Sequence, residues 1–309
     1  MRIAFVGKGG SGKTTLASLY IRFLFAKQAK LLAIDADINQ HLTEALGLQD
    51  TSTPKLASLM GQLKTYTRGT NAMIGAPQEM IKTTPPGEGS QLFRLGDASL
   101  APFALSHQNL WLTGAGEFHE EDIGIRCFHA KTGAVELVLS HLLDSRDDRV
   151  VVDMTAGADS FASGLFAAFD LTVIVVEPTK KSLDVFHQYR AYAEPYGVRY
   201  VAIGNKIRSA EDETYLKEML GEAYLGSLPW SDAVVAGERK GITPLESIPA
   251  EVLPILQKID DTIAECRVDW QRRFDTLCQF HKRNAASWGN ASIGKDLTQQ
   301  IDRSFRYPI

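Results

Sequence analysis

Apolar residues along this chain fall into short continuous runs separated by amphipathic stretches. That alternation predicts buried parallel strands joined by helices. Ile3-Ala4-Phe5-Val6 is the first run. It breaks into glycines at Gly7, Gly9, Gly10 and Gly12, after which Leu16, Leu19, Tyr20, Phe23 and Leu24 recur at helical spacing. A second run, Lys30 to Ile34, ends in Asp35-Ala36-Asp37-Ile38-Asn39. Residues 51–108 show only short helical pieces near Leu56 to Leu63 and a turn-rich segment at Thr83-Thr84-Pro85-Pro86-Gly87. They read as an insertion on one face of the sheet.

Further strands are predicted at Asn109 to Leu112, Arg149 to Asp153, Leu171 to Val176, Tyr200 to Gly204 and Leu225 to Pro229. Helices are predicted over Lys131 to Leu143 and Lys181 to Ala193. A long helical stretch, in one or two pieces, runs from Pro249 to about Ala285, and the last 25 or so residues look polar and irregular. The expected fold is α/β, a doubly wound, mainly parallel sheet flanked by helices.

The stretch from Gly7 to Thr15, GKGGSGKTT, places a glycine loop, a lysine and two hydroxyls between a strand and a helix. This is the phosphate-binding loop in the context it requires. Gly7, Gly9, Gly10, Ser11, Gly12, Lys13, Thr14 and Thr15 are the expected cradle, because glycines let backbone N–H groups close on a polyphosphate. Lys13 should reach the β- and γ-phosphates, and the Thr14 hydroxyl should hold Mg2+. Acids at the carboxyl ends of parallel strands point into the crevice where such sheets bind ligands. Asp35, Asp37 and Asp153 stand there, with Asp153 as the expected Mg2+ holder. Asp153 to Gly157 resembles the D-x-x-x-G switch II segment of P-loop ATPases, which implies that Gly157 would bring its N–H to the γ-phosphate, where no side chain blocks the approach.

An extra lysine early in the loop, Lys8, gives K-G-G-x-G-K. It resembles the deviant Walker A lysine of the ATPases that include the MinD, ParA, ArsA, nitrogenase iron protein and CooC families. That resemblance implies a P-loop ATPase that works as an ATP-dependent homodimer, with Lys8 reaching the partner's nucleotide. It also implies Asp37 as the residue that orients the attacking water. Asp35 is then an outer-shell Mg2+ residue or a structural partner. Asn205-Lys206 resembles the base-recognition corner of related nucleotidases, and Pro229 the residue that touches the base in its relatives. Arg208 stands where a guanine-reading N-K-x-D motif would need an aspartate, which favours ATP.

Within that group the chain resembles CooC-type ATPases, which assist nickel insertion into carbon monoxide dehydrogenase. The likeness spans about residues 1 to 245. It rests on GKGGSGKTTLA, LLAIDADINQHL, VVDMTAGADSFASGL and VIVVEPTKKSLDV. The resemblance implies a role in metal-centre maturation, with an apo-metalloenzyme as client. Where CooC carries a C-x-C pair that holds nickel or zinc across its dimer, this chain has Cys127-Phe128-His129. Two such pairs would give an S2N2 set suited to Zn2+ and open to Ni2+. The other reading is a buried cysteine and a helix-start histidine without metal. Cys278 and His281, three apart on the C-terminal helix, read as core.

Residues 1–248 are expected to form the ATPase domain with its insertion, and 249–309 a helical extension of that domain. At 309 residues, 44% apolar and 23% charged, the composition is that of an ordinary globular protein. A net charge of -4 gives no general attraction to nucleic acid. No apolar run approaches the ~20 residues that span a membrane, and the tail offers only Phe305, Tyr307 and Ile309 to a bilayer surface. With three cysteines and a strand directly at Met1, the expected compartment is the cytoplasm. The competing expectation is a ParA/MinD-like positioning ATPase acting on DNA or a membrane; a nucleotide switch with little turnover is a third.

Overall fold

The computed structural model describes residues 1–48, 53–116, 129–232, 234–236, 245 and 247–309. The first apolar run forms β1 (Arg2–Gly7), buried along its whole length, and α1 (Lys13–Ala26) follows the glycine loop. Next come β2 (Leu31–Ala36), α2 (Leu42–Ala45), α3 (Met60–Arg68), β3 (Phe93–Arg94), β4 (Leu105–His107) and β5 (Leu110–Gly114). The middle of the chain supplies α4 (His129–Ser140), β6 (Leu142–Leu143), β7 (Arg149–Met154), α5 (Asp159–Ser163), β8 (Leu171–Val176) and α6 (Lys180–Ala193). It closes with β9 (Tyr200–Ile207), α7 (Ala210–Leu220), β10 (Tyr224–Pro229), α8 (Leu253–Ala264) and α9 (Trp270–Asn284).

Eight strands make one sheet in the order β10-β9-β8-β1-β7-β2-β5-β4. All neighbours run parallel except β4, which pairs antiparallel with β5 at the edge. Each strand alternates its side chains between two cores. Ala4, Val6, Ile34, Val152 and Ile174 point to one, beneath α4 and α6. Ile3, Phe5, Ala33, Val151 and Val173 point to the other, beneath α1 and α8. Helices on both faces explain why the strands read as unbroken apolar runs.

Two parts of the chain are more ordered than their sequence suggests. Leu56, Leu63, Ile74, Met80, Phe93, Leu100 and Phe103 of the insertion join the core on the α4 side. Its final strand, β4, belongs to the main sheet. The tail after α9 holds a few short helical turns and is otherwise irregular, as expected, but it packs back on the insertion. Leu297 and Ala285 bury Ile81, and Gln300 Oε1 accepts from Thr84 at 3.2 Å. Asp302 accepts from the Glu88 amide at 2.9 Å. Residues 249–309 are thus tied to 79–90 by side chains roughly 200 positions away, which no local periodicity reveals.

Helix α9 is also fixed to the sheet. Asp144 takes the Met1 amine at 2.7 Å and Arg2 at 2.8 Å, and Arg273 of α9 spans Asp144 and Asp170. Burial opposes ionisation of Asp144, but Arg2, the amine and Arg273 together hold its carboxyl well below the usual range. Among the described residues no helix is long and apolar enough to cross a membrane.

Candidate active site

The glycine loop turns tightly between β1 and α1, with the Ser11 amide donating to Lys8 O at 3.0 Å. Two of its glycines are required by close approach. A Cβ on Gly7 would lie 2.5 Å from Val175 O, and one on Gly12 would run into Asn205 Nδ2. Gly12 also sits at φ 95°, in the left-handed region, and gives α1 no side-chain cap. The first-turn amides of α1 therefore face the loop without a capping oxygen, as an anion site needs.

Strand register brings the acids to the same spot. Asp153 on β7 lies level with Phe5 on β1 and with Asp35 on β2. Thr14 Oγ1 donates to Asp153 Oδ2 at 2.6 Å, while the buried Asp153 Oδ1 has no partner. Burial, and then the nearby Asp35, push the Asp153 carboxyl up to about 8. An orphaned, reluctantly ionised carboxylate oxygen beside a threonine hydroxyl fits a divalent cation, which would supply the missing charge.

Asp35 does a different job. Its two oxygens accept the amides of Asp37 at 3.1 Å and Leu42 at 2.8 Å, so it holds the turn after β2. Burial raises it to about 6 despite those bonds. Asp37 accepts from the Asn39 amide at 3.1 Å, and its other oxygen lies 3.5 Å from Lys13 Nζ. Lys13 and Asp37 are thus an ion pair at the mouth of the loop, both largely buried.

On the other side of β1, Glu177 binds two lysines. Lys8 Nζ reaches its Oε2 at 3.1 Å and Lys206 Nζ its Oε1 at 2.8 Å. Partial burial opposes ionisation, yet hydrogen bonds from Lys206 and Lys8 hold the Glu177 carboxyl below its ordinary value. Both lysines also donate to the loop, Lys8 to Gly9 O and Lys206 to Gly10 O. Lys206 adopts φ 62°, a strained backbone for a non-glycine residue. Asn205 Nδ2 donates to Ser11 O at 2.7 Å, which leaves its Oδ1 as the acceptor. Gly157, at φ 85°, donates its amide to Gly7 O at 2.9 Å in this conformation. A phosphate contact from that amide requires this bond to break.

A cavity of about 280 Å3 runs from the loop to the ends of β9 and β10. Gly10, Gly12, Lys13, Thr14, Thr15, Asn205, Lys206 and Pro229 line it, beside Trp230. Trp230 and Glu177 are additions to the residues read from sequence. Each follows directly on a strand end, which was the available signal. A larger recess, about 870 Å3, lies among Met1, Lys30 and Asp148 at the amino ends of the strands, away from the loop.

Cys127 lies outside the described residues, and of His129 only its place at the start of α4 is described. Among the described residues no group of three or more metal-ligating side chains exists. Cys278 and His281 are buried, with His281 Nε2 2.8 Å from Leu297 O and Nδ1 3.4 Å from Thr83 Oγ1. They serve the junction between tail and insertion.

Comparison with known proteins places the chain among nucleotide-binding proteins. Residues 3–245 match the CobQ/CobB/MinD/ParA nucleotide binding domain. The chain is 30% identical over 253 residues to the carbon monoxide dehydrogenase accessory protein CooC of Rhodospirillum rubrum, covering 81% of this chain and 91% of that one. It is also 30% identical over 245 residues to an uncharacterised ATP-binding protein of Methanocaldococcus jannaschii, covering 78% and 90%. The cell division ATPase MinD of Pyrococcus furiosus superimposes with a TM-score of 0.56 at 17% identity, over 84% of this chain and 98% of that one.

Proposed function

The chain belongs to the CobQ/CobB/MinD/ParA nucleotide-binding family of P-loop ATPases, and from that premise we propose that it hydrolyses ATP as an ATP-dependent homodimer, with Mg2+, in the service of metal-centre maturation. The observation that carries the catalytic part is the convergence of Lys13, Asp37, Thr14 and Asp153 on one end of the glycine loop. Thr14 and Asp153 are the residues that would hold Mg2+, whose charge would offset that of the phosphates. A γ-phosphate entering the loop takes Lys13, which releases the Asp37 carboxylate. Asp37 then accepts a hydrogen bond from water aligned with the γ-phosphorus. As the new P–O bond forms, the bond to the β–γ bridging oxygen breaks and ADP leaves. Lys8, now bound to Glu177 of its own subunit, is the group that would cross to the partner's nucleotide.

Asp37→Ala is the direct test. The variant should bind ATP, lose about 100-fold or more in turnover, and accumulate as a dimer in ATP. Sedimentation with ADP, ATP and a non-hydrolysable analogue reads the dimer; unchanged turnover would assign water orientation to another residue.

The maturation role rests on the likeness to the carbon monoxide dehydrogenase accessory protein and on Cys127-Phe128-His129. Two ligands per subunit bind weakly, so a full site needs two subunits. Titration of the ATP-bound dimer with Zn2+ or Ni2+ should show about one ion per dimer, lost in Cys127→Ser. A stoichiometry unmoved by that change removes the site.

A further inference from the structure

Trp230 is an aromatic residue left partly open beside a cavity. Its backbone amide donates to Ile207 O at 2.8 Å, which fixes it to the end of β9 just beyond Asn205 and Lys206. Its indole N–H donates to Asp232 Oδ1 at 3.0 Å. The Arg208 guanidinium stands 4.4 Å from the ring centroid. Three tethers thus hold a large flat ring in place, while 37% of the residue remains exposed and it borders the cavity that begins at the glycine loop. A partly exposed aromatic ring that borders a cavity offers a flat apolar surface to a planar group.

We propose that Trp230, backed by Arg208, is the stacking wall of the base subsite and makes the site select a nucleotide over a bare polyphosphate. This rests on the reading that the glycine loop binds the nucleotide's phosphates. Stacking on an aromatic ring is available to every base because each has a π-face. Trp230 therefore supplies affinity for the base as a plane, and Asn205 Oδ1 supplies the acceptor that an adenine amino group needs. Arg208 occupies the position at which a guanine-reading motif would carry a carboxylate, and its charge is spent on the indole.

The test uses the full chain, Mg2+, a non-hydrolysable ATP analogue and inorganic tripolyphosphate. Wild type should bind the analogue more tightly than tripolyphosphate. Trp230→Ala should weaken the analogue by about 10-fold and leave tripolyphosphate unchanged. Trp230→Phe, which keeps a stacking face, should retain most of the affinity and so controls for folding. Indole emission should shift with the analogue in wild type, and that component should vanish in Trp230→Phe. The proposal is overturned if Trp230→Ala binds the analogue as wild type does, or if it loses both ligands in proportion. Should wild type bind neither ligand, the nucleotide reading falls and takes this one with it. Should wild type bind the analogue with Trp230→Ala unaffected, only the stacking wall falls.

Discussion

Lys13→Ala should bind ATP at least about 100-fold more weakly than wild type, because one charge-assisted contact to the phosphates disappears and nothing replaces it. The loss reaches beyond that contact. Lys13 is only 6% exposed and faces Asp37 at 3.5 Å. Removing it leaves a largely buried carboxylate at the mouth of a loop built for anions, so repulsion adds to the missing attraction. Equilibrium titration with labelled ATP measures the effect. Lys13→Arg keeps the charge but replaces a compact ammonium with a planar guanidinium of different reach and donor geometry, so it should recover little. Wild-type affinity in Lys13→Ala would show that this loop does not hold the phosphates.

Asp153→Asn is expected to move stability and function in opposite directions. The Asp153 carboxyl is raised from 3.8 to about 8, first by burial and next by Asp35. Folded protein therefore keeps a proton that the unfolded chain releases. Stability falls as pH rises from about 4 to about 8, because only the unfolded chain gains from releasing the proton, and is level beyond, where the folded acid ionises at full cost. Asparagine removes that cost while still accepting from Thr14 Oγ1. The nucleotide-free variant should be more stable than wild type at pH 9, by on the order of 2 kcal/mol, with the gap narrowing as pH falls. Mg2+-dependent ATP turnover should be lost. Thermal melts of both proteins at several pH values decide the matter; a variant that melts at or below wild type at pH 9 would contradict the assignment of a costly buried charge.

Glu177 gives the dimer reading a structural starting point. Its carboxylate holds Lys8 and Lys206 together, on the same side of β1 as the cavity. A lysine that crosses to a second subunit must first leave this partner. In this structure Lys8 is held by that partner.

Much of the site was legible because it is local. Gly7 to Thr15 are contiguous, and the chemistry of a phosphate loop depends on their order. Asp35, Asp37 and Asp153 could be placed together because parallel strands present their carboxyl ends at one edge, so an acid ending an apolar run marks that edge. The exact pairing of Asp35 with Asp153 could not be assigned, since it needs β7 to lie between β1 and β2. Nor could the division of labour between them: Asp35 spends both oxygens on backbone amides, while Asp153 keeps one free.

The edge strand β4 was missed because it is three residues long and adjoins β5 through Gln108 at φ 54°. The tail read as irregular because its apolar residues follow no helical or strand period. Ile81, Leu297 and Ala285 make sense only once the insertion lies beside α9.

The fold class and the nucleotide-binding family were thus readable from the chain alone, as were the positions of the glycine loop, its lysine and threonine, and the acids that end the strands. Each of these is written in neighbouring residues or in a strand's own period. The tertiary structure alone decided what Lys8 and Lys206 share, which acid keeps an open oxygen, how the tail clasps the insertion, and that Trp230 borders the cavity. Those depend on strand order and on contacts between segments far apart in the chain. A one-dimensional pattern carries no distance between such segments; packing and hydrogen bonding supply it only when the chain has folded.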